Sequence, residues 1–531
     1  MKQFLVEHAS HPADLQRLYS ILCEMDMHMM PPLSQRLCIE QYARKLTEKA
    51  EIYYIIYEGQ DCGHCAVYMN NGKKAYISSF VILTKFQRMG MAHFLLRKVI
   101  CEAKTRNMDE IGLEVHRDNM IAYKLYCHAG FQRVGEQGEL IIMKKDLREP
   151  DSMDKIFVTR SSVPSYELFI EKIKPLWETR RLTNMGIYHK ELEQQLKAYL
   201  GVPGLSLMVN GHMALEMAIQ AMGFSEGSEV ITTPFTFIST THAIVRNRLT
   251  PVFCDIKPDD YTIDEEKLEE LITDKTVAIV PVHVYGNICN VERIEEIAYK
   301  HGLKVIYDAC HAFGETYKEK GVGTFGDASV FSFHATKVFN TIEGGAVAFS
   351  DEKLYEKLYN LKNFGIRGEE LVAEVGANAK MNEFSAIMGL CNLPDVENNI
   401  ALRKERAEAY IDLLKRIPGL TLPDYNEKKE VVRNYGYFPI LAPSGAIRDK
   451  IYNDLRRQNV YARKYFYPLT SQAACFGGKY DQCPLPNAKR ISETVLVLPL
   501  YPELEYENIE KITEEIRKSL GDSRETRCSD L

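Results

Sequence analysis

The chain has 531 residues, 45% of them hydrophobic and 26% charged, with a net charge of -7 at neutral pH. That balance belongs to globular protein too long for one core, so two or three domains are expected. The mild acidity gives no pull toward nucleic acid or anionic membrane, and no apolar run reaches the length of a membrane span.

The opening MKQFLVEHASHPADLQ lacks a continuous apolar core and a small-residue cleavage site, which predicts no signal peptide. The 13 cysteines have no disulfide-like rhythm. Cys62 and Cys65 have CxxC spacing without a second pair, so a turn in a reduced, cytoplasmic protein is expected. Helices are predicted over 12–26 and 33–49, and strands over 52–57, 65–69 and 75–83.

The stretch TKFQRMGMAHFLLRKVICEAKTRNM becomes helical after Gly90. A strand feeding a glycine turn and then a helix leaves free N–H groups aimed at a phosphate-bearing ligand. Gln87, Arg88, Gly90 and Ala92 supply that turn. The strand IGLEVH follows, and its alternation puts Glu114 and His116 on one face, each open to a solvated or structural role. A short helix then carries Asn119, Ala122 and Tyr126 and ends at Gly130-Phe131. The charged, proline-containing KKDLREPDSMDK breaks the apolar period, which makes 147–156 a linker between residues 1–146 and the rest.

Beyond the linker, buried runs alternate with amphipathic helices. EVITTPFTFIST, TPVFCDI, TVAIVPVHVYG, KVIYDACHAFG and ASVFSFHA read as strands, with helices over 239–248, 265–272 and 291–301 between them. This predicts an α/β unit with a mostly parallel sheet covered on both faces, over 157–400. A smaller α/β subdomain is expected over 401–531. Ligands of such sheets sit at the strand ends, where the unusual polar residues lie.

Asp308 ends an apolar strand, where an unpaired carboxylate is costly to bury. Lys337 follows another buried strand, where burial lets an amine shed its proton cheaply and become an imine-forming nucleophile. Gly211 and His212 open a helix, a seat for phosphate. Phe237 can stack on a flat ring. Ser332 can reach a phosphate, and His311 can hydrogen-bond a ring hydroxyl. Each has an ordinary structural reading alone; together, in this order, they match what pyridoxal phosphate needs.

Two families account for these patterns. The loop from Gln87 to Ala92 fits Q/R-x-x-G-x-G/A, and Asn119 to Phe131 fits N-x-x-A-x-x-x-Y-x-x-x-G-F. Residues 1–146 therefore resemble a GCN5-related N-acetyltransferase (GNAT) of mixed α/β fold. That resemblance implies acetyl-CoA on splayed strands, its pyrophosphate on the Gln87–Ala92 loop and Asn119 positioning it. It makes Tyr126 either a general acid for the departing thiolate or a core aromatic. LTNMGIYHKELEQQL from Leu182, GANAKMNEFSAIMGL from Gly376, YFYPLT from Tyr465 and VLPLYP from Val497 resemble the DegT/DnrJ/EryC1/StrS aminotransferases. Their architecture is fold-type I. His212 departs from the threonine more usual there, which puts a hydroxyl–phosphate contact in question.

The second resemblance implies pyridoxal phosphate on Lys337, with Asp308, His311, Gly211, His212, Phe237 and Ser332 around it. Thr183, Asn184 and His334 would lie near the sugar. Asn378 and Lys380 would reach the site of a partner subunit, so a homodimer is implied. The implied reaction moves an amino group from glutamate to dTDP-4-keto-6-deoxyglucose, the acetyltransferase part then acetylating the new amine for O-antigen or other glycan precursors. Transamination of a dTDP-linked 3-keto sugar, and a non-catalytic acetyl-CoA-binding role for residues 1–146, are the alternatives.

Overall fold

The computed structural model describes residues 4–9, 13–29, 32–87, 90–148, 155–423 and 430–521. They divide into two compact units, Met1–Lys155 and Ile156–Leu531.

The first unit is built on a seven-stranded sheet in the order β1-β2-β3-β4-β5-β7-β6. The strands are β1 (Leu5–His8), β2 (Glu51–Tyr57), β3 (Gln60–Asn71), β4 (Lys74–Ile82), β5 (Glu110–His116), β6 (Gln132–Gln137) and β7 (Leu140–Asp146). One face is packed by α1 (Leu15–Met25) and α2 (Ile39–Lys49) around Leu18, Leu22, Leu46 and Tyr54. The other is packed by α3 (Met91–Thr105) and α4 (Met120–His128) around Leu95, Val99, Leu113 and Phe131. All neighbours are antiparallel except β4 and β5, which pair over only three residues, from Lys74↔Glu110 to Tyr76↔Gly112. Beyond Tyr76 the two strands part.

Two expectations fail here for local reasons. The helix read over 33–49 is a 3-10 turn, Leu33–Gln35, whose Ser34 amide and hydroxyl donate to the Asp26 carboxylate, followed after a break by α2. Cys62 and Cys65 do not form a turn but are fully buried within β3.

The second unit holds a seven-stranded sheet in the spatial order Thr250–Phe253, Glu229–Thr232, Thr276–Val280, Lys304–Asp308, Ala328–Ser332, Gly345–Phe349, Gly204–Met208. Its first five strands are parallel, and Gly345–Phe349 runs antiparallel to both neighbours. Helices bury both faces in separate clusters, one around Leu207, Ile279 and Phe331, the other around Met208, Val280 and Val330. The strand expected through EVITTPFTFIST stops at Thr232, since Pro234 cannot donate to a ladder and its carbonyl instead accepts from Thr470. Phe237 consequently precedes the helix Ile238–Arg246 as its cap. The helix read over 265–272 is a 3-10 turn and one helical turn.

A further lobe packs Val396–Leu414, Gly445–Arg457 and Tyr506–Ser519 over the antiparallel pair Phe438–Leu441 and Val495–Leu498. Ile156–Phe157 pairs in parallel with Val460–Tyr461, so the chain enters this unit through that lobe. Among the described residues no helix is long and apolar enough to cross a membrane.

Glu383 ties the large sheet's periphery together. Its buried carboxylate accepts the amides of Gly186, Tyr188 and His189 at 3.1, 3.0 and 3.3 Å, satisfying the start of helix Ile187–Leu200. Glu383→Ala leaves those donors without an acceptor and is expected to lower unfolding stability by about 3 kcal/mol, measured by urea unfolding.

Candidate functional site

A cavity of about 860 Å³ opens at the ends of the parallel strands, lined by both the large sheet and the C-terminal lobe. Strand Gly204–Met208 delivers helix Gly211–Met222 to it, with the Asn210 side chain accepting from the Met213 amide at 2.8 Å. A Cβ on Gly211 would lie 2.7 Å from the Ser332 Cβ, so only glycine lets the helix start press against that strand. The N–H groups of this helix end and the Ser332 hydroxyl both face the cavity, a combination suited to an anion. His212 stands beside them, its Nδ1 2.8 Å from the Ser239 hydroxyl. Burial lowers its pKa despite Glu216 nearby. Ser239 lines the same cavity.

Asp308, 6% exposed, ends strand Lys304–Asp308. Thr240 Oγ1 donates to its Oδ2 at 2.7 Å and the Cys310 amide to its Oδ1 at 3.1 Å. Thr240 has a single hydroxyl proton, so the 3.0 Å contact to Thr236 makes Thr236 the donor in turn. The carboxylate is thus held by two donors. His311 is buried, with its Nδ1 accepting the Tyr285 amide at 3.1 Å. Burial and then Lys337 push its pKa well below the ordinary value. The ring is neutral with its proton on Nε2, stacked among Tyr285 and Phe466.

Lys337 follows strand Ala328–Ser332 and donates from Nζ to the Tyr437 hydroxyl at 3.0 Å. The expectation that burial frees this amine of its proton is corrected. Burial does pull its pKa down, but Tyr437, Cys310 and Asp308 outweigh it and raise the net value. Phe237, 55% exposed, lines the cavity instead of joining the core. His334 also lines it, its Nδ1 2.8 Å from Thr336 Oγ1.

Thr183 and Asn184, expected near the sugar, are not among the residues lining the cavity, nor are Asn378 and Lys380, which were expected to reach a partner subunit's site. Thr183 and Asn184 are exposed in the turn before helix Ile187–Leu200. Asn378 bridges Asn363 through the backbone, and buried Lys380 donates to the Asn363 side chain at 2.8 Å. Conversely, Ser239, Thr240 and Tyr437 were not foreseen. The run ISTT after Phe237 signals a hydroxyl-rich helix start; Tyr437, 100 residues beyond Lys337, has no local signal.

In the first unit, Gly90 takes a left-handed φ of 84° at the start of α3, a conformation that favours glycine. Gln87 turns its amide back to the Ile82 carbonyl at 3.1 Å, and Ala92 packs on the core. Arg88 lies outside the described residues. Asn119 caps α4 by accepting from Ala122, so its carbonyl is committed to the helix. Tyr126 is a core aromatic, edge-on to Phe80 and Phe131, with burial pushing its pKa well up.

Residues 165–517 match the DegT/DnrJ/EryC1/StrS aminotransferase family. The chain belongs to that family. Residues 15–131 match the acetyltransferase (GNAT) family, so this aminotransferase carries an N-terminal GNAT domain. Both are enzyme families. A dTDP-4-amino-4,6-dideoxy-D-glucose transaminase of Shigella dysenteriae is 42% identical over 365 residues, 68% of this chain and 98% of the relative. The structure of DesI in the presence of its TDP-sugar product is 30% identical with a TM-score of 0.65, covering 70% of this chain and 94% of that one. NtdA from Bacillus subtilis, solved with bound cofactor PMP, is 27% identical with a TM-score of 0.62, covering 67% and 82%. The DegT-type cavity fits pyridoxal phosphate: anion seat, carboxylate, neutral imidazole, exposed aromatic face and amine line one space.

Two pH-dependent outcomes follow from the aminotransferase site. Tyr437 raises the Lys337 pKa, so in cofactor-free Tyr437→Phe protein Lys337 is expected to react with an amine-modifying reagent at lower pH than in wild type, read by peptide mass spectrometry. Glu315 is buried, accepts the Asn434 amide at 3.0 Å, and has its pKa pushed up to about 8 by burial. A folded pKa above the unfolded one gives stability below the unfolded pKa that is lost as pH rises to about 8. Relative to Glu315→Gln, the wild type is expected to lose about 1.4 kcal/mol per pH unit across that window, followed by urea titrations.

Proposed function

We propose that the aminotransferase unit transfers the amino group of glutamate to C4 of dTDP-4-keto-6-deoxyglucose, giving dTDP-4-amino-4,6-dideoxyglucose. The N-terminal unit then acetylates that amine from acetyl-CoA. The observation that carries the first half is the joint presence of Lys337, Asp308, His311 and the Gly211 helix end around one cavity, in a chain 42% identical over nearly the whole length of a transaminase of that name.

When bound, pyridoxal phosphate supplies an electron sink that lets an amino group leave one carbon skeleton and join another. Lys337 would hold the cofactor through Nζ, and its amine would carry a proton to and from the donor's α carbon. Asp308, fixed by Thr240 and Cys310, keeps a proton on the cofactor's ring nitrogen. His311 uses its Nε2 proton to orient the ring hydroxyl, and Phe237 covers the ring face. The Gly211 amide end, Ser332, Ser239 and His212 bind the phosphate, and His334 bounds the sugar side. Asn378 and Lys380 act toward a second subunit of a homodimer.

In the GNAT unit, the gap between β4 and β5 beyond Tyr76 admits the acetyl-CoA chain, and the Gln87–Ala92 loop receives its pyrophosphate. Asn119 steadies that arrangement through α4, and Tyr126, held protonated by burial, serves the departing thiolate. One cytoplasmic polypeptide would then make an acetamido sugar for O-antigen or another glycan.

Addition of pyridoxal phosphate is expected to give the wild type a visible absorbance band that borohydride fixes to the Lys337 peptide. Lys337→Ala should show neither. A wild type that stays colourless with added cofactor would sink the aminotransferase reading.

A further inference from the structure

The anion seat at the start of helix Gly211–Met222 has a titratable ring beside it, that of His212, and the ring belongs to a longer row of polar groups. Helices Gly211–Met222 and Ile238–Arg246 pack side by side, and the row runs along their seam. It starts in the cavity with the Ser239 hydroxyl, 2.8 Å from His212 Nδ1. His212 Nε2 faces Glu216 Oε2 at 3.4 Å, one turn along the same helix. Arg246 holds that carboxylate in turn, its Nε 2.6 Å from the same oxygen. The Glu216 side chain is only 12% exposed, whereas Arg246, at 60%, ends the row in solvent.

These partners set the tautomer of the ring. A carboxylate at Nε2 keeps the proton there, so Nδ1 accepts from the Ser239 hydroxyl. Ser239 has one proton, and while His212 takes it the hydroxyl has none to offer an anion. A phosphate dianion in the seat competes for that proton. Once Ser239 turns it toward the phosphate, the serine oxygen faces Nδ1 as an acceptor, and only a ring protonated on both nitrogens can donate to it.

The surroundings are suited to such a change of charge. With the seat empty, burial, then Arg246 and His242 from the neighbouring helix, hold the His212 pKa below its ordinary value, and Glu216 opposes them. A dianion adds a second negative neighbour on the other side of the ring, which favours the imidazolium. Across the cavity, Asp308, His311, His334, Lys337 and Glu343 border the same space.

We propose that Ser239, His212 and Glu216 form a proton relay at the cofactor's phosphate, so that binding the dianion takes up one proton, on His212. This rests on the pyridoxal phosphate reading above. Ser239 Oγ donates to a phosphate oxygen, His212 Nδ1 donates to Ser239 Oγ, and Glu216 holds the imidazolium through its Nε2 proton. The proton comes from solvent, and no covalent bond between heavy atoms forms or breaks. Glu216 touches the ring and not the phosphate, so it is a positioning residue. The cofactor is therefore held less tightly as pH rises, by up to about tenfold per pH unit for one linked proton.

The test uses pyridoxamine phosphate, whose amine cannot form an imine with Lys337. Calorimetry of its binding to the cofactor-free full chain at about pH 8, in two buffers of different ionisation enthalpy, counts the protons taken up. Wild type is expected to take up close to one proton more than His212→Thr, which offers a hydroxyl and no titratable ring; protons gained elsewhere in the site cancel in this difference. From about pH 7.5 to about pH 8.5 the wild-type Kd should rise by up to about tenfold more than that of His212→Thr. Glu216→Gln should bind the probe with about half of that extra uptake or less, and His242→Gln should keep all of it. Equal uptake in wild type and His212→Thr, undiminished uptake in Glu216→Gln, or its loss in His242→Gln would overturn the relay while leaving the cofactor in its site. A wild type that does not bind pyridoxamine phosphate would overturn the cofactor reading as well.

Discussion

A carboxylate buried at the end of an apolar strand is the constraint around which the aminotransferase unit is arranged. Asp308 is 6% exposed, and a charge in that position is tolerated only if donors surround it. The fold provides them from two directions, a threonine hydroxyl from helix Ile238–Arg246 and the Cys310 amide from the turn that follows the strand. Satisfying the carboxylate fixes that helix against the strand end. The same helix carries Ser239 to His212 and follows directly on Phe237. One buried carboxylate thus coordinates the anion seat and the aromatic face.

Lys337 answers to a different part of the chain. Its amine meets Tyr437, which enters on the segment leading into strand Phe438–Leu441 of the C-terminal lobe. Asn434 anchors that segment by donating to the His311 and Phe313 carbonyls at 2.9 and 3.0 Å. The lobe is therefore part of the site and not an appendage to it. It also explains why burial alone fails to predict the lysine's ionisation, since neighbours from distant sequence outweigh desolvation.

What could be read beforehand follows the range over which each signal acts. Strand ends, the helix opening at Gly211 and the order Asp308, His311, Ser332, Lys337 are local patterns, and the cavity gathers those residues. Phe237 was legible as a residue type but not as a cap, because Pro234 ends its strand early. Tyr437 reaches Lys337 from 100 residues away in the chain, a placement that no single stretch encodes. Thr183, Asn184, Asn378 and Lys380, taken from resemblance, do not line the cavity formed by this chain. In the N-terminal unit, Asn119 and Tyr126 match a pattern whose local work is capping and core packing.

In the proposed function the two domains would act in sequence on a single atom, the sugar nitrogen that one installs and the other acylates, and the tether would raise the local concentration of the intermediate. The most direct test is mass spectrometry of the nucleotide sugars formed when the purified full chain, with pyridoxal phosphate, receives dTDP-4-keto-6-deoxyglucose, glutamate and acetyl-CoA. The account predicts an amino sugar without acetyl-CoA and the corresponding acetamido sugar with it. Unchanged keto sugar in both mixtures would contradict it.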